Sequence, residues 1–369
     1  MKKPQGSPKA AAVGGAHEAA EANDERTMAR VRALAAIGAS DDPDGGIKRP
    51  AYGEAHAEAA ALVASWMVEA GLEVGRDATG TLIGILPGLD RSLPAIAIGS
   101  HLDTVPNGGA FDGALGVIAG IDAAERIARS GRPLTRDLAV LGFADEEGNN
   151  FGIGVLSAQL WIGEIGPDDF ADIRDGEGRS LAEYLDAFDV PGVPIVPRPS
   201  LGGYLELHVE QGPILDDEGT VAAAVEAIVG ISRITVRFAG QANHAGTTPM
   251  RLRHDALTAA AELVLAVRDL ADASEGRAVG TVGVLQVEPG ATNVIPGQAM
   301  LRVELRSPDS ERLLALRADV ERSAREAAER ADVQVTFDPW HDAPPVAMDE
   351  RMIAATTAAL KDVGLPVHT

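Results

Sequence analysis

The sequence predicts the α/β class, with a parallel-type core domain followed by a smaller α+β layer. Three observations predict it. Two short runs, Pro94 to Gly99 and Leu138 to Phe143, are continuously apolar, as strands covered on both faces are. Two others, Ser232 to Phe238 and Val303 to Arg306, alternate apolar and polar residues, as strands with one wet face do. Between them lie helical stripes of period 3.6.

In chain order, residues 1–24 mix Gly, Ala, Pro, Lys and Glu with hardly a large apolar side chain, and are expected to form a disordered tail. Apolar periodicity starts at Glu25. Val63, Met67 and Ala70 share one helical face, and Gly71 is placed to end that helix. The strand at 94–99 is followed by a helix with the stripe Val117, Ile121, Ala124 and Ala128, opposite Leu115, Ile118, Asp122 and Glu125. The strand at 138–143 comes next, then a strand-like piece from Tyr204 to Pro213. Two further helices are predicted over 255–270 and 309–330. The expected division is a core domain over 25–224, a smaller domain over 225–338, and a return to the core domain over 339–369.

Composition narrows the function. The 369 residues include 32 Lys+Arg and 55 Asp+Glu, a formal charge of −23, which argues against nucleic-acid and anionic-membrane partners. There is no cysteine, so disulfides, thiolate metal sites and a cysteine nucleophile are excluded, and any metal must be held by His, Asp and Glu. No apolar run approaches the roughly 18 residues that span a bilayer. The two lysines near the N-terminus precede no apolar signal core, so a cytoplasmic location is expected.

The chemistry gathers at strand ends, where open parallel sheets bind ligands. His101 and Asp103 follow the first buried strand, and a glycine-rich loop returns Asp112 toward His101. Asp112 could instead cap the next helix. The second buried strand ends in Asp145-Glu146-Glu147, three adjacent carboxylates that suit either a solvated loop or a cation, with one acid free as a general base. His208 alternates with apolar neighbours and alone reads as a hydrogen-bonded core histidine. Together these residues form a nitrogen and oxygen donor set for two divalent ions, and such a pair activates water.

The runs GSHLDTVPNGGAFDG, DEEGNNFGIGV, ELHVEQGPIL, NHAGTTPM and ATNVIPG resemble the hydantoinase/carbamoylase-type amidases. This is the dinuclear-metal amidohydrolase family of N-carbamoyl-L-amino-acid hydrolases, allantoate amidohydrolases and β-ureidopropionases, within the zinc aminoacylase and carboxypeptidase superfamily. The resemblance covers about residues 25 to 367. It implies a mixed-sheet α/β/α metallohydrolase domain with an inserted α+β dimerisation or lid domain. It implies two divalent ions per subunit, zinc first, with manganese, cobalt and nickel compatible. His101 and His208 would bind one ion and Glu147 the other, Asp112 would bridge them, and Asp103 would orient His101. Glu146 would be the general base toward the attacking water. Gln211 would face the substrate, and HVEQGP, with His208 where peptidase-like relatives carry a carboxylate, points to the carbamoylase branch. His244 would polarise the scissile carbonyl across a homodimer, and Asn293 and Arg306 would hold the substrate carboxylate. On residues alone, His244 reads as a turn-stabilising histidine and Arg306 as an exposed strand cation.

The implied reaction is hydrolysis of the C–N bond of an N-carbamoyl-L-amino acid or a ureide such as allantoate. The alternatives are a metallo-aminoacylase or dipeptidase of the same superfamily, and a truncated, inactive relative. The last arises because the family carries a further metal-binding histidine in a glycine-rich segment near its C-terminus, and this chain stops at Thr369 before such a segment. His17, His56, His254, His341 and His368 stand outside the motifs.

Overall fold

The computed structural model describes residues 24–42 and 45–366, so the expected tail at 1–24 falls almost wholly outside the described residues, as do His17 and His368. Two units divide the chain between Gln211 and Gly212.

The first unit opens with helix α1 (24–35), then α2 (Glu54–Glu69), β1 (Glu73–Arg76), β2 (Leu82–Leu86), β3 (Ala95–His101), α3 (Ala114–Arg129), β4 (Leu138–Phe143), α4 (Leu156–Ile162), α5 (Leu181–Ala187) and β5 (Leu201–Leu205). Its five strands lie in the order β1-β2-β4-β3-β5. β3 runs parallel to β4 and β5, while β2 is antiparallel to both β1 and β4. The sheet is therefore mixed, and its parallel centre is the pair of continuously apolar runs. β4 matches the predicted 138–143 span and is buried until its last residue.

Helix α2 buries Val63 and Met67 and ends as expected, with Ala70 buried and Gly71 at φ +86°. Helix α3 buries Val117, Ile118 and Ile121 completely, at about 1.5–3 kcal/mol of favourable transfer each. The predicted stripe fails at its edges: Ala128 is exposed, whereas Asp122 and Glu125 are buried. The acids are buried because α1 supplies their partners. Arg30 reaches Asp122 at 2.5 Å and Glu125 at 3.7 Å, and Arg26 meets Glu125 at 2.8 Å. Losing either side would strand a buried charge.

The second unit contains α6 (Ile214–Asp217), β6 (Ala227–Ile228), β7 (Gly230–Ala239), α7 (Ala256–Asp272), β8 (Val279–Glu288), β9 (Gln298–Ser307), α8 (Ser310–Ala331), β10 (Gln334–Phe337), β11 (His341–Ala343), β12 (Val346–Ala347) and α9 (Glu350–Asp362). Its sheet has the order β10-β7-β9-β8 and is antiparallel throughout. Alternation in β7 and β9 sends Ile234, Val236, Phe238, Leu301, Val303 and Leu305 to one face, where they meet Leu263 and Val267 of α7 and Leu316 and Val320 of α8. Asp255 and Asp309 cap α7 and α8 by accepting backbone N–H bonds. Residues from 339 onward differ from the sequence expectation. β11 pairs with β7 and β12 with β6, so their strand partners lie in the second unit and not in the first. Among the described residues no helix is long and apolar enough to cross a membrane.

Candidate metal centre

Strand β3 delivers His101 to its carboxyl end, where the residue is 2 % exposed. The turn before α3 brings Asp112 opposite it. Gly113 makes that turn possible: it sits at φ +64°, and a Cβ there would lie 2.5 Å from His101 Nδ1. The segment after β5 carries His208. The strand-like piece expected over 204–213 stops at Leu205, so His208 is held in irregular backbone and not in the ladder.

His208 Nε2 lies 3.1 Å and His101 Nε2 3.6 Å from Asp112 Oδ1. Each ring's Nδ1 faces a backbone carbonyl, Asp103 O at 2.9 Å for His101 and Val209 O at 2.8 Å for His208. A carbonyl only accepts, so Nδ1 carries a proton in both rings and both Nε2 atoms point inward. Asp112 Oδ1 is accordingly a buried oxygen with no hydrogen-bond partner. The two inward nitrogens and this anionic oxygen attract positive charge, either a proton on an imidazole or a metal ion. Burial alone lowers the proton affinity of His101, but the Asp112 carboxylate and the charges of Asp103 and Glu146 outweigh it and push the imidazole up to about 9. The pocket thus calls for positive charge. The residues present fit a divalent ion through His101, Asp112 and His208, whose donor atoms lie within 4.8 Å of one another.

His101, Glu146 and Glu147 form a second group of the same compactness. Glu147 therefore gathers with His101 and Glu146, and the charge of Asp112 acts on it as well. Burial raises the proton affinity of both Glu146 and Glu147, and the carboxylates around them add to it against the pull of His101. Asp145, at φ +55°, is fully buried with both oxygens unpartnered, and burial followed by the charges of Asp103 and Glu146 pushes it up to about 7.

Two expected roles change. Asp103 meets His101 through its backbone oxygen, while its carboxylate stands 3.7 Å from Nδ1 and accepts the N–H groups of Glu146 and Glu147 at 3.1 and 3.2 Å. It fixes the loop that carries the two glutamates as much as it fixes the ring. Gln211 donates to Asp112 Oδ2 at 2.8 Å, so in this state it orients a candidate ligand. Sequence reasoning also missed Arg49. That guanidinium is 1 % exposed and donates to Leu102 O, Leu34 O and Ile37 O, tying the segment after β3 to the end of α1. A cavity of about 270 Å³ opens beside the centre, lined in part by His101, Glu146, Phe143, Trp161 and Tyr204.

The second unit holds the other three candidates. His244 is exposed and its Nδ1 accepts the Gly246 N–H at 3.1 Å, which leaves the proton on Nε2, free to donate to an oxygen. The Asn293 loop is stitched to it: Ala245 N–H donates to Asn293 O at 2.9 Å and Ile295 N–H to Asn243 O at 2.8 Å. Arg306 is ion-paired with Glu304 at 2.7 Å. It stands eight residues along β9 from Gln298, roughly 27 Å at about 3.4 Å per residue, and Gln298 is the end nearer the His244 loop. Asn293 and Arg306 of one chain therefore do not converge on one small carboxylate, contrary to the sequence expectation.

The model of Peptidase family M20/M25/M40 matches residues 97–369. The chain is 36 % identical over 352 residues to an N-carbamoyl-L-amino acid amidohydrolase of Geobacillus stearothermophilus, covering 93 % of this chain and 84 % of that one. It is 33 % identical over 327 residues to the allantoate amidohydrolase of Escherichia coli (strain K12), covering 88 % and 79 %. The crystal structure of a hydantoinase/carbamoylase family amidase from Burkholderia ambifaria superimposes with a TM-score of 0.86 at 31 % identity, over 93 % of this chain and 83 % of that one.

Proposed function

Because the chain belongs to the M20/M25/M40 peptidase family and, within it, to the hydantoinase/carbamoylase amidases that hydrolyse linear C–N bonds, we propose that it cleaves N-carbamoyl-L-amino acids or a closely related ureide such as allantoate. The observation that carries the reading is the convergence of two Nδ1-protonated imidazoles on the unpartnered oxygen of Asp112. His208 completes that donor set where a carboxylate would mark the peptidase-like branch.

The family works with two divalent ions, and zinc heads the candidates for these nitrogen and oxygen donors. When bound, such ions act as Lewis acids that polarise a carbonyl and acidify water. His101, Asp112 and His208 would hold the first ion and Glu147 would contribute to the second. Glu146, half-exposed at the cavity, takes a proton from the attacking water and returns it to the leaving nitrogen; its raised proton affinity suits both halves of that transfer. Asp103 steadies the 146–147 backbone throughout. His244 donates from Nε2 to the developing oxyanion. Arg306 binds the substrate carboxylate as a bidentate fork once released from Glu304. Since His244 with Asn293 and Arg306 lie at opposite ends of β9, a complete site draws them from two subunits, and the working form is a homodimer.

Purified protein loaded with Zn²⁺ or Mn²⁺ is expected to release ammonia from N-carbamoyl-L-amino acids or allantoate and to leave dipeptides intact. Dipeptide cleavage without ureide turnover would contradict the substrate class. Two bound ions per chain by metal analysis support the enzyme, and at most one points to an inactive relative.

A further inference from the structure

β3 and β5 are the two strands whose ends carry His101 and His208, and their ladder stops short of both. The last paired residues are Ile98 and Leu205. Beyond that point β3 continues through Ser100 and His101 on β4 alone, and the chain after β5 turns irregular. The separation of the two imidazoles is therefore not set by backbone pairing between these strands.

Glu206 bridges the gap. Its Oε1 accepts the hydroxyl of Ser100, which is 1 % exposed, at 2.5 Å, and its Oε2 accepts the hydroxyl of Tyr204 at 2.9 Å. Ser100 precedes His101 directly, and Glu206 stands two residues before His208. Each carboxylate oxygen thus grips one hydroxyl, one from each strand. Below them Gly116 of α3 lets both chains approach: a Cβ there would lie 2.4 Å from Leu207 O and 2.7 Å from Ser100 Cβ. The staple and this close approach leave the His208 segment little freedom to drift from His101. Nothing in the motif reading assigned Glu206 a role.

We infer that Glu206 is a positioning residue for the metal centre, which sets the spacing of the His101 and His208 nitrogens by stapling the end of β3, through Ser100, to the end of β5, through Tyr204. This rests on the metal reading proposed above. It places no ion contact on Glu206 itself.

The test is Co²⁺ titration of the apo protein, followed by affinity for the first ion and by the visible absorption of the bound ion, with apo-protein thermal unfolding measured alongside. Glu206→Ala is expected to weaken first-ion binding by about 10- to 100-fold and to alter the Co²⁺ absorption at saturation. Glu206→Gln keeps a carbonyl oxygen for Ser100 and an amide N–H for the Tyr204 oxygen, and is expected to recover most of the affinity. Ser100→Ala is expected to fall between Glu206→Ala and the wild type. Wild-type affinity and spectrum in Glu206→Ala would overturn the inference while leaving the metal reading intact. Equal damage in Glu206→Gln would also overturn it, by assigning the effect to charge. Should Glu206→Ala fail to fold, Ser100→Ala decides: weakened binding supports the staple and wild-type binding refutes it. No Co²⁺ uptake by the wild type would remove the metal reading and this inference together.

Discussion

The two units present their functional side chains in opposite ways. In the first, His101, Asp103 and Asp145 are buried at strand ends, and each of the three donors proposed for the first ion is held by a second group: His101 by Asp103 O, His208 by Val209 O, Asp112 by Gln211. In the second, His244, Asn293 and Arg306 are exposed, and the length of β9 separates Arg306 from the other two. A centre that holds an ion needs fixed donors, whereas groups proposed to meet an incoming substrate need to stand in solvent. One motif set thus spans a buried donor cluster within the first unit and exposed side chains in the second.

Four changes test that contrast. The largest effect is expected at Glu146. Glu146→Gln should lower kcat by about 10²- to 10⁴-fold while metal content, measured by elemental analysis, stays at the wild-type level. Loss of metal in that variant would move Glu146 from base to ligand.

Next comes Gly113→Ala. The added methyl strains a left-handed residue and collides with the His101 ring, so first-ion affinity should drop by about 100-fold or more in a Co²⁺ titration. An unchanged titration would mean that the turn tolerates a side chain and that Asp112 is not fixed as described.

The third change concerns pH and the first unit's core. His56 is buried, accepts the Tyr52 N–H at Nδ1 and stacks on Phe188 at 5.2 Å. Burial, against the charge of Asp103 and with that of Arg49, pushes its pKa down to about 4. The unfolded chain takes up a proton near its ordinary value of about 6.5, and the folded chain does not until about 4. Its contribution to stability is therefore complete above 6.5 and is lost as pH falls toward 4, by roughly 3 kcal/mol in all. Urea unfolding of the wild type should show that slope, and His56→Leu should flatten it.

The smallest effect tests assembly. His244→Ala and Glu146→Gln are each expected to be nearly inactive. If His244 serves the other subunit's centre, mixing and reassociating the two variants creates one intact site per heterodimer and restores about a quarter of wild-type activity. No recovery would place His244 in its own chain's site.

Much of this was legible in the sequence because it is local. β4 follows from six apolar residues, and α7 and α8 begin at Asp255 and Asp309, whose carboxylates cap them. His101 and Asp112 could be paired from a strand end and a glycine loop. What escaped depends on partners far along the chain. Asp122 and Glu125 look like a solvent face until Arg30, 92 positions before Asp122, is brought against them. His208 looks like a strand residue until Glu206 is tied back to Ser100, 106 positions away. The segment from 339 is expected to return to the first domain, yet β11 finds the free edge of β7 beyond β10. Periodicity reports which face is apolar; it does not report which distant charge or edge will meet it.

The central claim is that His101, Asp112 and His208 enclose a divalent ion. X-ray absorption at the zinc edge of the protein loaded with one equivalent of Zn²⁺ tests it most directly. The account predicts two imidazoles in the coordination shell of the wild type, falling to one in His208→Ala. A shell with no imidazole, or one unchanged by that substitution, would contradict it.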